Sequence, residues 1–281
     1  MWVWLAVASA LLLGFYDVGK KLCLRRNDIL YVLLGITLCS VVFLSPFLEH
    51  GSLREHLILI FKAFLVTVSW VSGLAGIKYL PLTTASTLKA SRPVIVVVLS
   101  MLIFGERLGW MQWAGVVLVF SAIFMLGRSS RREGISFARN KGVLYMLLAI
   151  LSGAASALWD KHIISGMAPL FIQSWTNVYI AAFLLLLIAG KALFSRERPE
   201  PFRFDWMLLL TALVITASDA LYFYSLSGEG ALLSVITLVR RASVIVTFVL
   251  GALLFKEHRI RDKAAVLAIL LAGLVLLVLG S

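Results

Sequence analysis

Apolar residues in this chain come in long unbroken runs, not in alternation. Between charged and turn-forming stretches they occupy residues 2–19, 29–48, 57–78, 82–104, 108–127, 142–163, 169–190, 206–226, 231–255 and 263–280. Each run is near the roughly 20 residues that a helix needs to cross a hydrocarbon core of about 30 Å. Barrel strands would be shorter and would alternate, and backbone groups in lipid must be satisfied within the segment. The pattern predicts an all-α membrane protein of ten transmembrane helices with connections too short for a soluble domain. The first run opens at Trp2 with no basic stretch before it and no small-residue cleavage site after it, so it reads as a span, not a cleavable signal. A bacterial cytoplasmic (inner) membrane is the expected location.

Composition agrees. Of 281 residues, 61% are apolar and 14% charged, against roughly a quarter charged in soluble proteins. The net charge of +12 needs sorting by depth. Of 26 Lys and Arg, 18 fall in loops after odd-numbered spans and three, Arg54, Arg107 and Lys161, in loops after even-numbered ones. The positive-inside rule then places both termini on the non-cytoplasmic side. The basic loops read as topology signals in contact with anionic headgroups, not as a nucleic-acid surface. Two cysteines, Cys23 and Cys39, make no disulfide framework. The four histidines lack metal-ligand spacing, so neither metal nor cofactor is expected.

The two halves resemble each other. Leu13-Gly14-Phe15-Tyr16-Asp17, followed by Lys20, echoes Ala157-Leu158-Trp159-Asp160-Lys161. The stretch from Thr87 to Val96 runs parallel to that from Leu238 to Val246, placing Lys89 on Arg240 and Ala90 on Arg241. Both stretches close alike, Phe104-Gly105-Glu106-Arg107 against Phe255-Lys256-Glu257-His258. Five spans per half is an odd number, so residues 1–128 and 141–281 are expected to form two inverted five-helix repeats, an architecture of secondary transporters.

Five bases lie inside the spans: Lys62, Lys89, Arg92, Arg240 and Arg241. A Lys or Arg at the bilayer centre costs about 2.5–3.5 kcal/mol and usually faces a cavity. Lys89 and Arg92, three apart, share a helix face. Asp219 is the one acid at comparable depth, and Asp17 and Asp160 fall nearer helix ends. The excess of cations calls for an anionic ligand, which arginine forks match at phosphate or carboxylate oxygens. Against this, some of the bases could snorkel or pair with Asp219 and backbone carbonyls, Lys62 above all. Asp17 and Asp160 read either as paired gates with a proton-linked role or as helix-end ion pairs with Lys20 and Lys161. Asp219 reads as a proton relay or as a counter-ion for an arginine. Tyr222 and Tyr224 line a cavity or anchor an interface. Pro93 predicts a kink beside Arg92. Depth chemistry offers no nucleophile–base pair and no metal ligands, so the chain does not read as an enzyme.

On these residues the chain resembles the drug/metabolite transporter superfamily, and within it the EamA-type members. The resemblance covers essentially the whole length and rests on the duplicated plan and the motif pair Lys89-Ala90-Ser91-Arg92-Pro93 to Arg107 and Arg240-Arg241 to Glu257. It is also similar to the plastid-type phosphate translocators of that superfamily, which hold phosphate with a lysine in span four and a Lys-Arg pair in span nine. Lys89 and Arg240-Arg241 stand in those places. Arginine replaces lysine at 240, and Arg92 stands where those translocators carry an acid before proline. Ten-span members usually keep both termini inside, opposite to the charge count.

The resemblance and the buried cations together imply a secondary-active transporter of a small anionic, phosphate-bearing metabolite, working by alternating access as an exchanger. Lys89, Arg92, Arg240, Arg241, Lys62 and Tyr222 are its expected substrate site, and Asp219, Asp17 and Asp160 its coupling or gating residues. The alternative is a proton-coupled or broad-specificity metabolite or drug exporter, amphipathic and lipid-phosphate substrates included. Expected partners are the anionic solute and the bilayer, with a homodimer as an option.

Overall fold

A computed structural model describes residues 2–25, 27–95, 109–131, 139–163, 166–194, 202–226, 228, 236, 239–255 and 260–279. Within them lie ten α-helices: α1 (Trp2–Cys23), α2 (Ile29–Leu44), α3 (Leu53–Tyr79), α4 (Leu82–Ala90), α5 (Trp110–Arg131), α6 (Lys141–Ile163), α7 (Pro169–Phe194), α8 (Trp206–Leu226), α9 (Ser243–Phe255) and α10 (Ile260–Leu279). Six apolar stretches are long enough to cross a membrane: Trp2–Cys23, Ile29–Phe47, Leu53–Tyr79, Lys141–Asp160, Pro169–Leu193 and Trp206–Leu226. Large apolar side chains such as Trp4, Phe64, Phe124, Leu148 and Leu186 are exposed on the outside, a surface suited to lipid. The chain is a multi-pass membrane protein.

Local chemistry sets several ends. The Asp28 carboxylate accepts from the Ile29 N–H at 2.7 Å and caps α2, and Pro46 sits in the short 3-10 turn that ends it. Ser52 and Glu55 form a reciprocal capping box at the start of α3. The 27 residues of α3 extend about 40 Å, more than the hydrocarbon thickness, so the helix tilts or protrudes.

Helix ends outrun the predicted spans where bases were taken as loop. Lys20 lies inside α1 at 8% exposure and Lys263 inside the first turn of α10 at 0%. Both leave the loop tally as a correction: an ammonium group is no helix terminator, and its apolar stem packs like any other side chain.

The expected kink in span four is a break. The helix stops at Ala90, the Ser91 N–H donates to the Leu88 carbonyl at 3.0 Å, and the Val94 N–H donates to the Ser91 carbonyl at 3.1 Å. Pro93 has no N–H to continue the ladder. Span nine repeats the geometry without a proline. The Ala242 N–H donates to the Val239 carbonyl at 3.0 Å and the Ile245 N–H to the Ala242 carbonyl at 2.9 Å. In the repeat register Ser91 falls on Ala242, so both breaks occupy the same place, beside Lys89 and Arg92 in one half and Arg240 and Arg241 in the other. The closing motifs at Phe104–Arg107 and Lys256–His258 lie outside the described residues.

Packing follows a rule of exchange. α1 packs on α8 and α3 on α6; α2 packs on α8 and α3 on α7; α1 packs on α9 and α4 on α6. The pairs α2–α7, α4–α9 and α5–α10 map onto themselves when each helix is shifted by five. Glycines mark the close crossings. A Cβ at Gly14 would sit 2.7 Å from Cγ1 of Val246 and 3.0 Å from the Ser243 carbonyl, and one at Gly153 would meet the Arg92 guanidinium.

Buried side chains form two main cores. One joins residues of α4, α5, α6, α9 and α10, with Val18 and Ile77 at its margin. The other joins α1, α2, α3, α7 and α8. The intramembrane charges lie along the seam between them.

Candidate functional site

Three carboxylates, Asp17, Asp160 and Asp219, each lie on one side of the seam and meet a cation on the other. Asp17 of α1, 5% exposed, accepts from Nζ of Lys89 at 3.0 and 3.2 Å. It also pairs with Lys20, one turn further along α1, at 2.8 Å, and that ammonium rests 4.1 Å from the Tyr16 ring centroid. Lys62 of α3 pairs with Asp160 of α6 at 2.7 Å, beside the Trp159 indole that donates to the Ile58 carbonyl and fastens the two helices. Asp219 of α8 accepts from the Arg240 guanidinium, whose cation lies 4.1 Å from the Tyr222 ring centroid. Tyr224 faces outward at 54% exposure.

Asp17 and Asp160 are engaged at the seam as well as Asp219. Asp17 makes the ion pair expected with Lys20 on its own helix and a second one with Lys89 across the gap. Asp160 takes Lys62 across the seam, while the Lys161 side chain lies outside the described residues. Asp160 lies in the last turn of α6, near the helix end as expected, whereas α1 continues for a further turn beyond Asp17 to Cys23.

The two remaining arginines have no carboxylate partner among the described residues. Arg92 donates through Nη2 to the Ser69 hydroxyl and to the Ala149 carbonyl, each at 3.3 Å, with its guanidinium against Gly153. Arg241 interacts electrostatically with Arg92, Arg240, Tyr222 and Asp17. The Nε atoms of Arg92 and Arg241 are buried with no hydrogen-bond partner. Seam side chains retain partial access, 25% for Lys89 and Asp219 and 19% for Arg240, against 6% for Asp17. Among the described residues four cations, Lys20, Lys62, Lys89 and Arg240, thus share three carboxylates, and Arg92 and Arg241 are in excess of them. Such an arrangement can take up a compact anion with several oxygens, since an unpaired charge at this depth is expensive. The described residues hold no cluster of His, Cys, Asp or Glu suited to a metal.

Sequence reading paired Lys20 with Asp17 but missed Ser69 and Gly153. The small-residue run Ser152-Gly153-Ala154-Ala155-Ser156 was the available signal for a close approach on α6.

The sequence pattern of the EamA-like transporter family matches residues 1–128 and again residues 140–279. The chain belongs to this family. The EamA-like pattern is therefore duplicated along it, and the relatives are transporters, not enzymes. An uncharacterised transporter of Archaeoglobus fulgidus is 27% identical over 230 residues, covering 80% of this chain and 77% of that protein. The riboflavin transporter of Rhizobium johnstonii is 29% identical over 200 residues, 68% of this chain and 62% of the relative. The adenosine 3'-phospho 5'-phosphosulfate transporter 1 of Caenorhabditis elegans is 28% identical over 105 residues, 36% of this chain and 25% of the relative. A solved crystal structure shares the fold of this EamA-like chain at TM-score 0.67 and 16% identity, covering 98% of this chain and 95% of the other.

Proposed function

We propose that this EamA-like protein is a secondary-active transporter that exchanges small anionic, phosphate-bearing metabolites by alternating access. Its frame is ten spans in two inverted repeats, 1–128 and 141–281. The packing that maps onto itself under a five-helix shift supports this frame, as do the paired breaks at Ser91 and Ala242. Broken helices at a repeat interface are where transporters bind solutes. By the charge count both termini lie outside the cytoplasm, in a bacterial inner membrane.

The observation that carries the substrate class is Arg241: its Nε is buried without a hydrogen-bond partner, it feels the charges of Arg92 and Arg240, and it has no carboxylate of its own among the described residues. Phosphate oxygens suit such a guanidinium, which they can accept from in bidentate fashion. Arg240 and Lys89 close on the anion from the two repeats, and Arg92, anchored on α3 and α6, fixes the far wall. Tyr222 holds Arg240 in place by its ring face. The two cores rock across the charged seam, with Asp17, Asp160 and Asp219 making and breaking the contacts that close either side. An empty site leaves several cations facing one another, which opposes the unloaded return and favours exchange. The relative named for adenosine 3'-phospho 5'-phosphosulfate carries an anion of this class.

The second reading is a broad-specificity or proton-coupled exporter. The riboflavin transporter relative favours it, with Asp219, a quarter exposed, as the proton carrier.

Thermal stability of the detergent-purified protein tests the choice, against sugar phosphates, short-chain phosphatidic acid, dicarboxylates and neutral metabolites. A ligand that binds only the folded state stabilises it by about 2.7 kcal/mol at one hundred times Kd. Phosphate-bearing solutes should raise Tm in the wild type and not in Arg241→Ala. Response to phosphatidic acid alone would point to lipid substrates. Equal stabilisation by neutral solutes, or an unaltered response in Arg241→Ala, would overturn the anion reading.

A further inference from the structure

The three carboxylates of the seam differ in how they would survive losing their cation. Asp160 holds Lys62, and Asp219 holds Arg240, one partner each among the described residues. If either cation left, a carboxylate would stand unpaired at depth. Asp17 is built differently. Lys20 pairs with its Oδ1 at 2.8 Å, while Lys89 spans Oδ1 at 3.0 Å and Oδ2 at 3.2 Å. Were Lys89 to leave, Asp17 and Lys20 would remain as a neutral pair on one helix, i to i+3, with the ammonium still over Tyr16. Lys89 is also the more accessible of the two lysines, 25% against 10% of the side chain. It sits in the last turn of α4, one residue before the helix stops at Ala90.

We infer that Asp17 is a built-in counter-anion that competes with the transported anion for Lys89. The inference rests on the anion reading of the site and adds the residue that sets its affinity. In the empty protein Asp17 neutralises Lys89 and ties α1 of one core to α4 of the other. An arriving anion takes Lys89, and Lys20 keeps Asp17 from standing alone. Loading the site thus cuts a tie across the seam, which couples occupancy to the movement of the two cores. Release of the anion lets Asp17 recapture Lys89, so the competition also limits how tightly product is held.

Two substitutions act on this competition with opposite sign. In Asp17→Asn the competitor loses its charge, and Lys89 is free for the anion. In Lys20→Met Asp17 has Lys89 as its remaining partner and holds it harder. The probe is inorganic phosphate, titrated against Tm at constant ionic strength with sodium chloride as the matched control. The expected result is an apparent Kd about tenfold lower in Asp17→Asn and about tenfold higher in Lys20→Met, the size of one charge pair in a partly solvated site. A purely structural role would weaken binding in both. If both variants weaken binding, or neither changes it while the wild type binds phosphate and Arg241→Ala does not, the inference is overturned and the anion reading stands. Absence of phosphate binding in the wild type overturns both. Should Asp17→Asn fail to fold, Asp17→Asn combined with Lys20→Met, which removes both charges of the pair, decides: tighter binding supports the competition, and unchanged or weaker binding refutes it.

Discussion

Gly153→Ala is a small change with a calculable consequence. The added Cβ would fall on the Arg92 guanidinium, with Nη1 at 2.7 Å and Cζ and Nη2 closer still. The guanidinium is the far end of a flexible side chain and can swing aside. In doing so it gives up its donations to the Ser69 hydroxyl and the Ala149 carbonyl, each 3.3 Å long. Hydrogen bonds from charged donors contribute about 1.5–3 kcal/mol each, and the length of these two places them at the low end, roughly 3 kcal/mol together. Replacing Gly by Ala within a helix returns about 1 kcal/mol. The net cost should be about 2 kcal/mol, read from denaturant titration in detergent micelles. The same substitution in an Arg92→Ala background should change sign, because no guanidinium remains to be displaced and the helix gain of up to about 1 kcal/mol survives. The cycle should therefore show a coupling of roughly 3 kcal/mol between positions 92 and 153. Equal destabilisation by Gly153→Ala in both backgrounds would refute the seat described for Arg92.

Lys62→Met should destabilise by about 3–5 kcal/mol, because it orphans Asp160 at depth, and Lys62→Met combined with Asp160→Leu should recover most of the loss; a double variant as unstable as the single would mean the pair is not the reason. Asp28, outside the spans, gives an acid-side signature. Burial acts to raise its pKa, but the Lys191 hydrogen bond at 2.6 Å, the Ile29 N–H and the charges of Lys191 and Lys78 together hold it below the usual carboxylate value. A group lowered in the folded state contributes stability that is present above its unfolded pKa of about 3.9 and fades as pH falls through the folded value. Melting temperatures of Asp28→Asn should thus fall less steeply below about pH 4 than those of the wild type; identical slopes would remove Asp28 from the acid response.

Much of the frame was legible in the sequence because lipid imposes it. Backbone satisfaction forces helices, and the apolar runs mark where most of them lie. The register of Lys89 on Arg240 foretold two matching stretches, and the structure puts a break in each. The proline rule located the break at Ser91 but had nothing to say at Ala242, where no proline stands. The pairing of Asp17 with Lys20 and of Asp219 with an arginine was readable, but the other pairs across the seam were not. Lys62 and Asp160, or Asp17 and Lys89, are joined by tertiary packing, and no local spacing encodes that. The cations themselves were visible, since a base inside an apolar run is costly wherever it points. Lys20 was named as Asp17's partner but counted as loop, because a base at the end of an apolar run looks like the start of a loop until the helix is seen to continue.

The exchange of partners between halves bears on how the protein is made. α1 rests on α8, and α3 rests on α6, so the first five helices leave the ribosome without the neighbours that cover them. Lys62 enters the bilayer before Asp160 has been synthesised, and Asp17 and Lys89 have each other while Arg240 and Asp219 do not yet exist. The early helices must therefore wait, held by the insertion machinery or by one another, with Lys62 reaching toward the headgroups on its long stem. The seam can close only when α6 and α8 arrive, and a ribosome stalled within the second half would leave behind a product that is inserted but cannot close.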